Sequence, residues 1–328
     1  VRRGLRAAVV LLLSTWAALP TRGARAGTEP PYAEVLARAR ASDWPECVRL
    51  LEPVVRDGVQ DPRVLSRYGL CLSMLGEAAR AERVLRRCVN LHPGFEGCLN
   101  DLGAVLEDQG RSREARPFFE RAAQLAVAHG HYSASFEWLV VEDLREGALE
   151  SARVHLRTAW SLVQDDRRRA ALEVLEARLC LLAGDGEGAL RHLGTGVVRR
   201  HLPGLPLLRG LVLAWLGRFS EASSEIRLAG AHAASLPPGD AELVRIAPAV
   251  LAGTARRADV EALLHRFEDD QRAWFLAATA AHLAGRDREA CRLLVRGRAR
   301  VVGSRSLLRP PWATCGPGGE NRRGGGDP

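Results

Sequence analysis

The chain has 328 residues, 47% apolar and 5% aromatic, with a formal net charge of +8. All 47 basic residues are arginine, so the lysine needed by a Walker-type phosphate loop or a Schiff-base enzyme is absent. Residues 1–26 carry five of these arginines and no acid, which leaves +3 for the rest, and the segment from Val301 holds a further +2. The body is therefore close to neutral, and with few aromatics for base stacking no nucleic-acid partner is expected. The all-arginine composition, rich in Ala, Gly, Leu and Val, points to a GC-rich bacterial genome.

The chain opens with Arg2, Arg3 and Arg6, then an uncharged, largely apolar run from Ala7 to Leu19 that Pro20 breaks, then the small-x-small site Ala24-Arg25-Ala26. These are the three parts of a secretory signal peptide. Residues 1–26 are expected to be removed on export to the periplasm or the exterior, and the run is short for a permanent transmembrane anchor.

Residues 32–58 form a first helical hairpin, with Asp43 as a helix cap and Pro45 in the first turn. Residues 62–95 and 96–129 then write one pattern twice. Leu65, Tyr68, Gly69 and Leu72 fall on Leu99, Leu102, Gly103 and Leu106, each 34 residues on. Gly76, Ala81, Leu85 and Cys88 fall on Gly110, Ala115, Phe119 and Ala122 at the same interval. Within each copy apolar residues recur at three- and four-residue steps, twice, around a central glycine. The unit is helix, turn, helix. Gly69 and Gly103 leave room for the second helix, Ala81 and Ala115 are the small residues facing them, and Gly76 and Gly110 close the first helix.

This pattern resembles the tetratricopeptide repeat in its period and in the spacing of its small residues. Leu65 and Leu99 stand at the family's tryptophan position, and Leu72 and Leu106 at its tyrosine. Further units are legible around Gly147 and Ala152, Gly184 and Ala189, and Gly210, Gly217 and Ala222. A last unit holds Trp274, Gly285 and Ala290. Residues 242–267 are degenerate, with Pro248 expected to interrupt their first helix. The fold expected is all-α, an α-α superhelix of about six to eight hairpins over residues 27–300, with essentially no sheet. Residues 301–328, rich in Gly, Pro and Arg, are expected to be disordered.

Catalytic motifs are sparse. Neither HExxH nor GxSxG occurs, and His129-Gly130-His131 supplies two metal ligands where structural zinc wants four. Gly184-Asp185-Gly186-Glu187-Gly188 follows a helix rather than a strand, so it is a turn and not a dinucleotide loop. No cofactor or metal is expected. The seven cysteines contain no CxxC. Most fall where the repeat wants a small apolar residue and read as buried free thiols. Cys88 and Cys98 are a candidate disulfide, because they lie equally far from the His92-Pro93-Gly94 turn on antiparallel helices and export would take them to an oxidising compartment. Against this, helix axes 8–10 Å apart often hold Cβ atoms too far apart for the bond.

The resemblance implies that the first helices line a concave face on which a protein or peptide lies. By registration that face includes Arg63, Ser66, Leu70 and Met74, then Asn100, Glu107 and Asp108. It continues through Glu137 and Arg145 to Arg178, Trp215 and Phe275. The family's carboxylate clamp is not carried over, since Ser66 and Leu70 stand where its groups would begin and no lysine exists. The reading is an exported, non-catalytic scaffold for a protein or peptide partner. The alternative is a cell-envelope hydrolase with an unrecognised carboxylate site, which a perturbed carboxylate pair in a closed pocket would reveal.

Overall fold

A computed structural model of the chain describes residues 32–202, 204–231, 236–301, 306–313 and 315; the proposed signal peptide lies outside them. Among the described residues there are seventeen α-helices and no β-strand. They divide into two compact units, residues 1–139 and 140–328.

In the first unit α1 (Tyr32–Arg40) and α2 (Trp44–Arg56) form one hairpin. α3 (Pro62–Leu75) and α4 (Ala78–Leu91) form the next, and α5 (Glu96–Asp108) and α6 (Ser112–His129) the third. α7 (Ser135–Glu146) begins in this unit, and α8 (Leu149–Leu162) follows it in the second. The second unit continues with α9 (Asp166–Leu182), α10 (Gly186–Leu193) and a short α11 (Gly196–His201). Then come α12 (Leu205–Trp215) with α13 (Phe219–Gly230), α14 (Pro238–Leu251) with α15 (Arg257–Arg266), and α16 (Gln271–Leu283) with α17 (Asp287–Arg300). That makes eight helix pairs.

Five helices begin on an aspartate whose side chain caps them. The Asp61 carboxylate accepts from the Arg63 amide at 2.8 Å, with Pro62 in the first turn, and Asp43, Asp165, Asp185 and Asp270 cap four other helices. α3 stops at Gly76, whose φ of 88° is the left-handed closing conformation. Pro248 does not interrupt its helix. It lies inside α14, three residues from the end, where losing one N–H leaves the last turn able to form.

Each hairpin closes on a small residue. A Cβ placed on Gly69 would lie 2.5 Å from Leu85, on Gly103 2.6 Å from Phe119, and on Gly210 2.3 Å from Ile226. The partner is sixteen residues on in all three pairs, so the 34-residue period is a repeated packing contact. Ala81, Ala115, Ala152, Ala189 and Ala222 are fully buried on the facing helices.

In the first unit the junctions between hairpins are covalent. Cys47 on α2 is bonded to Cys71 on α3, and Cys88 on α4 to Cys98 on α5, with Cα atoms 6.2 and 6.0 Å apart. Cys291 on α17 is bonded to Cys315, leaving only Cys180 free. The reading of most cysteines as free thiols is thus corrected. The small, buried repeat positions are also the places where two helices come close enough for a bond. A solenoid is stabilised by its interfaces, so crosslinks there act where the array would otherwise part. Between α6 and α7 the junction has no disulfide. Phe119 stacks on Trp138 instead, with ring centroids 5.4 Å apart and planes within 8°.

The C-terminal segment also departs from expectation. Ser306–Leu308 form a 3-10 turn, Leu307 and Leu308 are buried, and Trp312 packs on helices of the second unit. Two adjacent leucines and a tryptophan supply the apolar anchors that a Gly/Pro-rich composition hides. Residues 316–328 lie outside the described residues.

Candidate interaction face

In the first unit the first helices α3, α5 and α7 bring Ser66, Asn100 and Glu137 to equivalent repeat positions. All three are half-buried. Each is already held by a neighbour. Ser66 Oγ donates to Asp101, whose burial pushes its carboxyl up to about 6, against the lowering effects of that hydrogen bond and of Arg67. Asn100 Nδ2 donates to Glu96 at 3.4 Å and to Ser133 at 3.3 Å, while Ser135 donates to the Asn100 carbonyl. His131 Nε2 lies 2.6 Å from the second Glu96 oxygen, and Tyr132 donates to Glu137 at 2.7 Å.

The result is a polar strip fixed by side-chain hydrogen bonds between one hairpin and the next. Sequence reasoning missed Glu96, Asp101, Ser133 and Ser135. The signal available was their spacing, since Ser66 to Asp101 and Asn100 to Ser135 both span one repeat plus one residue. His131 is part of this strip. Among the described residues no group of three or more His, Cys, Asp or Glu could hold a metal ion.

Other expected members of the face sit differently. Arg63 is half-buried and pairs with Asp61 at 2.7 Å, and Met74 and Asp108 are half-buried. Leu70 and Glu107 are buried, at 9% and 8% exposure, because α3 and α5 pack directly on one another and narrow the face between them.

In the second unit Arg145 pairs with Glu142. Arg178 is half-buried with no carboxylate partner among the described residues, and burial together with the Arg145 charge pushes its guanidinium down to about 10. Trp215 is buried against the start of α10, where its ring would meet a Cβ on Gly186 at 2.8 Å. Phe275 is fully buried, and Trp312 lies 6.2 Å from it. Trp215 and Phe275 are therefore not open to a partner. A further pair missed by sequence reasoning is His155 and Asp143, where the fully buried Asp143 carboxylate lies 2.7 Å from His155 Nδ1.

No family model matches the chain and no curated protein matches it significantly. Solved structures do. Yeast Tom70 superposes with a TM-score of 0.54 at 12% identity, covering 94% of this chain and 70% of Tom70. Cut9, solved with Hcn1 as the APC/C hetero-tetramer, also gives 0.54, at 13% identity over 84% of this chain, which spans about half of Cut9's length (48%). A monomeric IFIT1 mutant solved with m7Gppp-AAAA gives 0.51 at 14% identity, covering 83% of this chain and 72% of that one. The fold is a tetratricopeptide-repeat-like solenoid. At these identities the solenoid likeness is a matter of fold alone. No helix among the described residues is long and apolar enough to cross a membrane.

Proposed function

We propose that this solenoid is an exported, non-catalytic scaffold that binds a protein or peptide on the first-helix face of its first unit. The carrying observation is that Ser66, Asn100 and Glu137 occupy equivalent positions on three successive first helices. There they are partly open to solvent and held in place by their neighbours. A preorganised polar strip of this kind loses little side-chain entropy on binding. Cut9 crystallised with a protein partner on a solenoid of related fold is consistent with this use. The perturbed carboxylate, Asp101, is bonded to a serine rather than paired with a second acid, which does not favour the hydrolase alternative.

Export to an oxidising compartment is part of the proposal. Its support is that six of the seven cysteines are bonded in pairs. A photo-crosslinking amino acid at Met74 or Ala104, on the first helices, should capture a discrete partner in the envelope of the producing cell. The same group at Gln124, exposed on α6, should not. Equal capture from both helices, or from neither, overturns the face assignment.

A further inference from the structure

The chain's own C-terminal segment lies on the first-helix face of the second unit. The 3-10 turn touches α9, α12 and α16, the first helices of three different hairpins, as well as α17. Leu307 donates its amide to Gln271 Oε1 at 3.2 Å, and Arg298 donates to the Leu308 carbonyl at 2.7 Å. Four residues on, Trp312 enters an aromatic slot. Its ring stacks on His282 with centroids 4.5 Å apart and planes 19° apart, and the Phe219 and Phe275 rings each stand 6.2 Å away. Its indole N–H donates to the Ala214 carbonyl at 3.0 Å, near the end of α12. Beyond it Cys315 is bonded to Cys291 on α17.

We propose that this slot is a docking site for a tryptophan that follows two prolines on a tight turn, filled by the chain's own Pro310-Pro311-Trp312 with the Ala313 amide donating to the Pro310 carbonyl at 3.1 Å, and that its other occupant is a partner protein presenting such a turn. The chemistry of the slot selects for this ligand. Two phenyl rings and a stacked imidazole offer a flat apolar site the size of an indole, and a helix-end carbonyl supplies one acceptor for its single donor. Phenylalanine would leave that donor position empty. Pro311 stands second in the turn closed by the Ala313 amide on the Pro310 carbonyl, and its fixed φ reduces the ordering cost of binding. Arg309 and Pro311 are exposed and Trp312 only half-buried, so the segment lies on the face and the tryptophan is its anchor.

The backbone makes this docking intramolecular, and the Cys291–Cys315 bond pins the segment at its far end as well. A tether of this kind holds its ligand at an effective concentration in the millimolar range, which a free peptide must exceed. The slot is thus closed to partners of ordinary affinity while the segment is seated. The inference rests on reading the first helices as the partner-binding side of the array. It concerns a different unit from the Ser66–Asn100–Glu137 strip.

The test is a fluorescence-polarisation titration of a labelled peptide, Leu-Arg-Pro-Pro-Trp-Ala, against the full chain. Wild type, Trp312→Ala and Cys291→Ser/Cys315→Ser are compared, each checked for helical circular dichroism. Trp312→Ala should bind the peptide at least about tenfold more tightly than wild type, because the competing anchor is gone. The double cysteine variant, with its tryptophan intact but held by the backbone alone, should fall between them. The same peptide with alanine for its tryptophan should bind none of the three. If Trp312→Ala does not fold, the double cysteine variant against wild type carries the comparison. Folded variants that bind no better than wild type overturn the proposal, as does a wild type that binds as tightly as Trp312→Ala. Neither result touches partner capture at Met74, and loss of that capture leaves the titration readable.

Discussion

Phe119 fills the space that a side chain on Gly103 would need. A Cβ there would lie 2.6 Å from Phe119 Cε1, and Leu85 blocks Gly69 in the same way one repeat earlier. Gly103→Leu therefore has to push an aromatic ring out of the α5–α6 contact. Overpacking of this kind costs about 1–3 kcal/mol. The fair control is Gln124→Ala on the exposed side of α6, since Glu107, expected on the open face, is buried. The control should stay within about 0.5 kcal/mol of wild type. Urea unfolding of the two variants gives the comparison, and equal midpoints would contradict the contact.

The two inter-hairpin disulfides of the first unit should each be felt in stability. Cys88→Ser/Cys98→Ser opens a bond that spans ten residues, and about 2–3 kcal/mol is the expected loss. Cys47→Ser/Cys71→Ser opens one that spans 24 and should cost somewhat more. Thiol titration of the folded, oxidised protein with an aromatic disulfide reagent should find no thiol other than Cys180. Recovery of Cys88 and Cys98 as free thiols from protein taken out of the envelope would count against the pairing.

Asp101 should give the protein a pH dependence opposite to that of a salt-bridged carboxylate. Burial raises its folded pKa from 3.8 to about 6, so between those values the folded state holds a proton that the unfolded state has released. Stability contributed by this group is therefore greatest below about pH 4 and falls as pH rises through 6. The difference is on the order of 3 kcal/mol. Asp101→Asn should remove this slope and leave a variant at least as stable as wild type at pH 8. Parallel denaturation midpoints for the two proteins from pH 4 to pH 8 would rule it out.

Arg178 should be a cost to the free protein. Its guanidinium is partly buried beside Arg145 with no carboxylate partner among the described residues. Replacing an uncompensated charge by an apolar chain of similar length is neutral or favourable. Arg178→Met is expected to keep or raise the melting temperature. A fall of several degrees would mean that Arg178 has a compensating interaction in the folded state.

The glycine spacing is local information, because Gly69 and Gly103 each state, within one hairpin, that a large side chain lies opposite sixteen residues later. A cap was legible for the same reason: Asp43, with Pro45 in the first turn behind it, fixes a helix start with its own atoms. The all-α solenoid, its eight hairpins and the Cys88 and Cys98 juxtaposition across one short turn all follow from such short-range rules. What crosses between hairpins beyond the reach of a single short turn did not follow. Cys47 and Cys71 lie on neighbouring hairpins at positions where a small apolar residue would serve equally well, and only the approach of α2 to α3 makes them a bond. Leu70 and Glu107 lost their exposure because α3 and α5 pack together. Phe275 keeps the register read for it, on a first helix, yet it is buried because Trp312, 37 residues later, comes back to cover it. Composition weighed the C-terminal segment by its glycines and prolines. The tertiary structure weighed it by two leucines and one tryptophan, whose burial sites exist only once the helices of the second unit have packed.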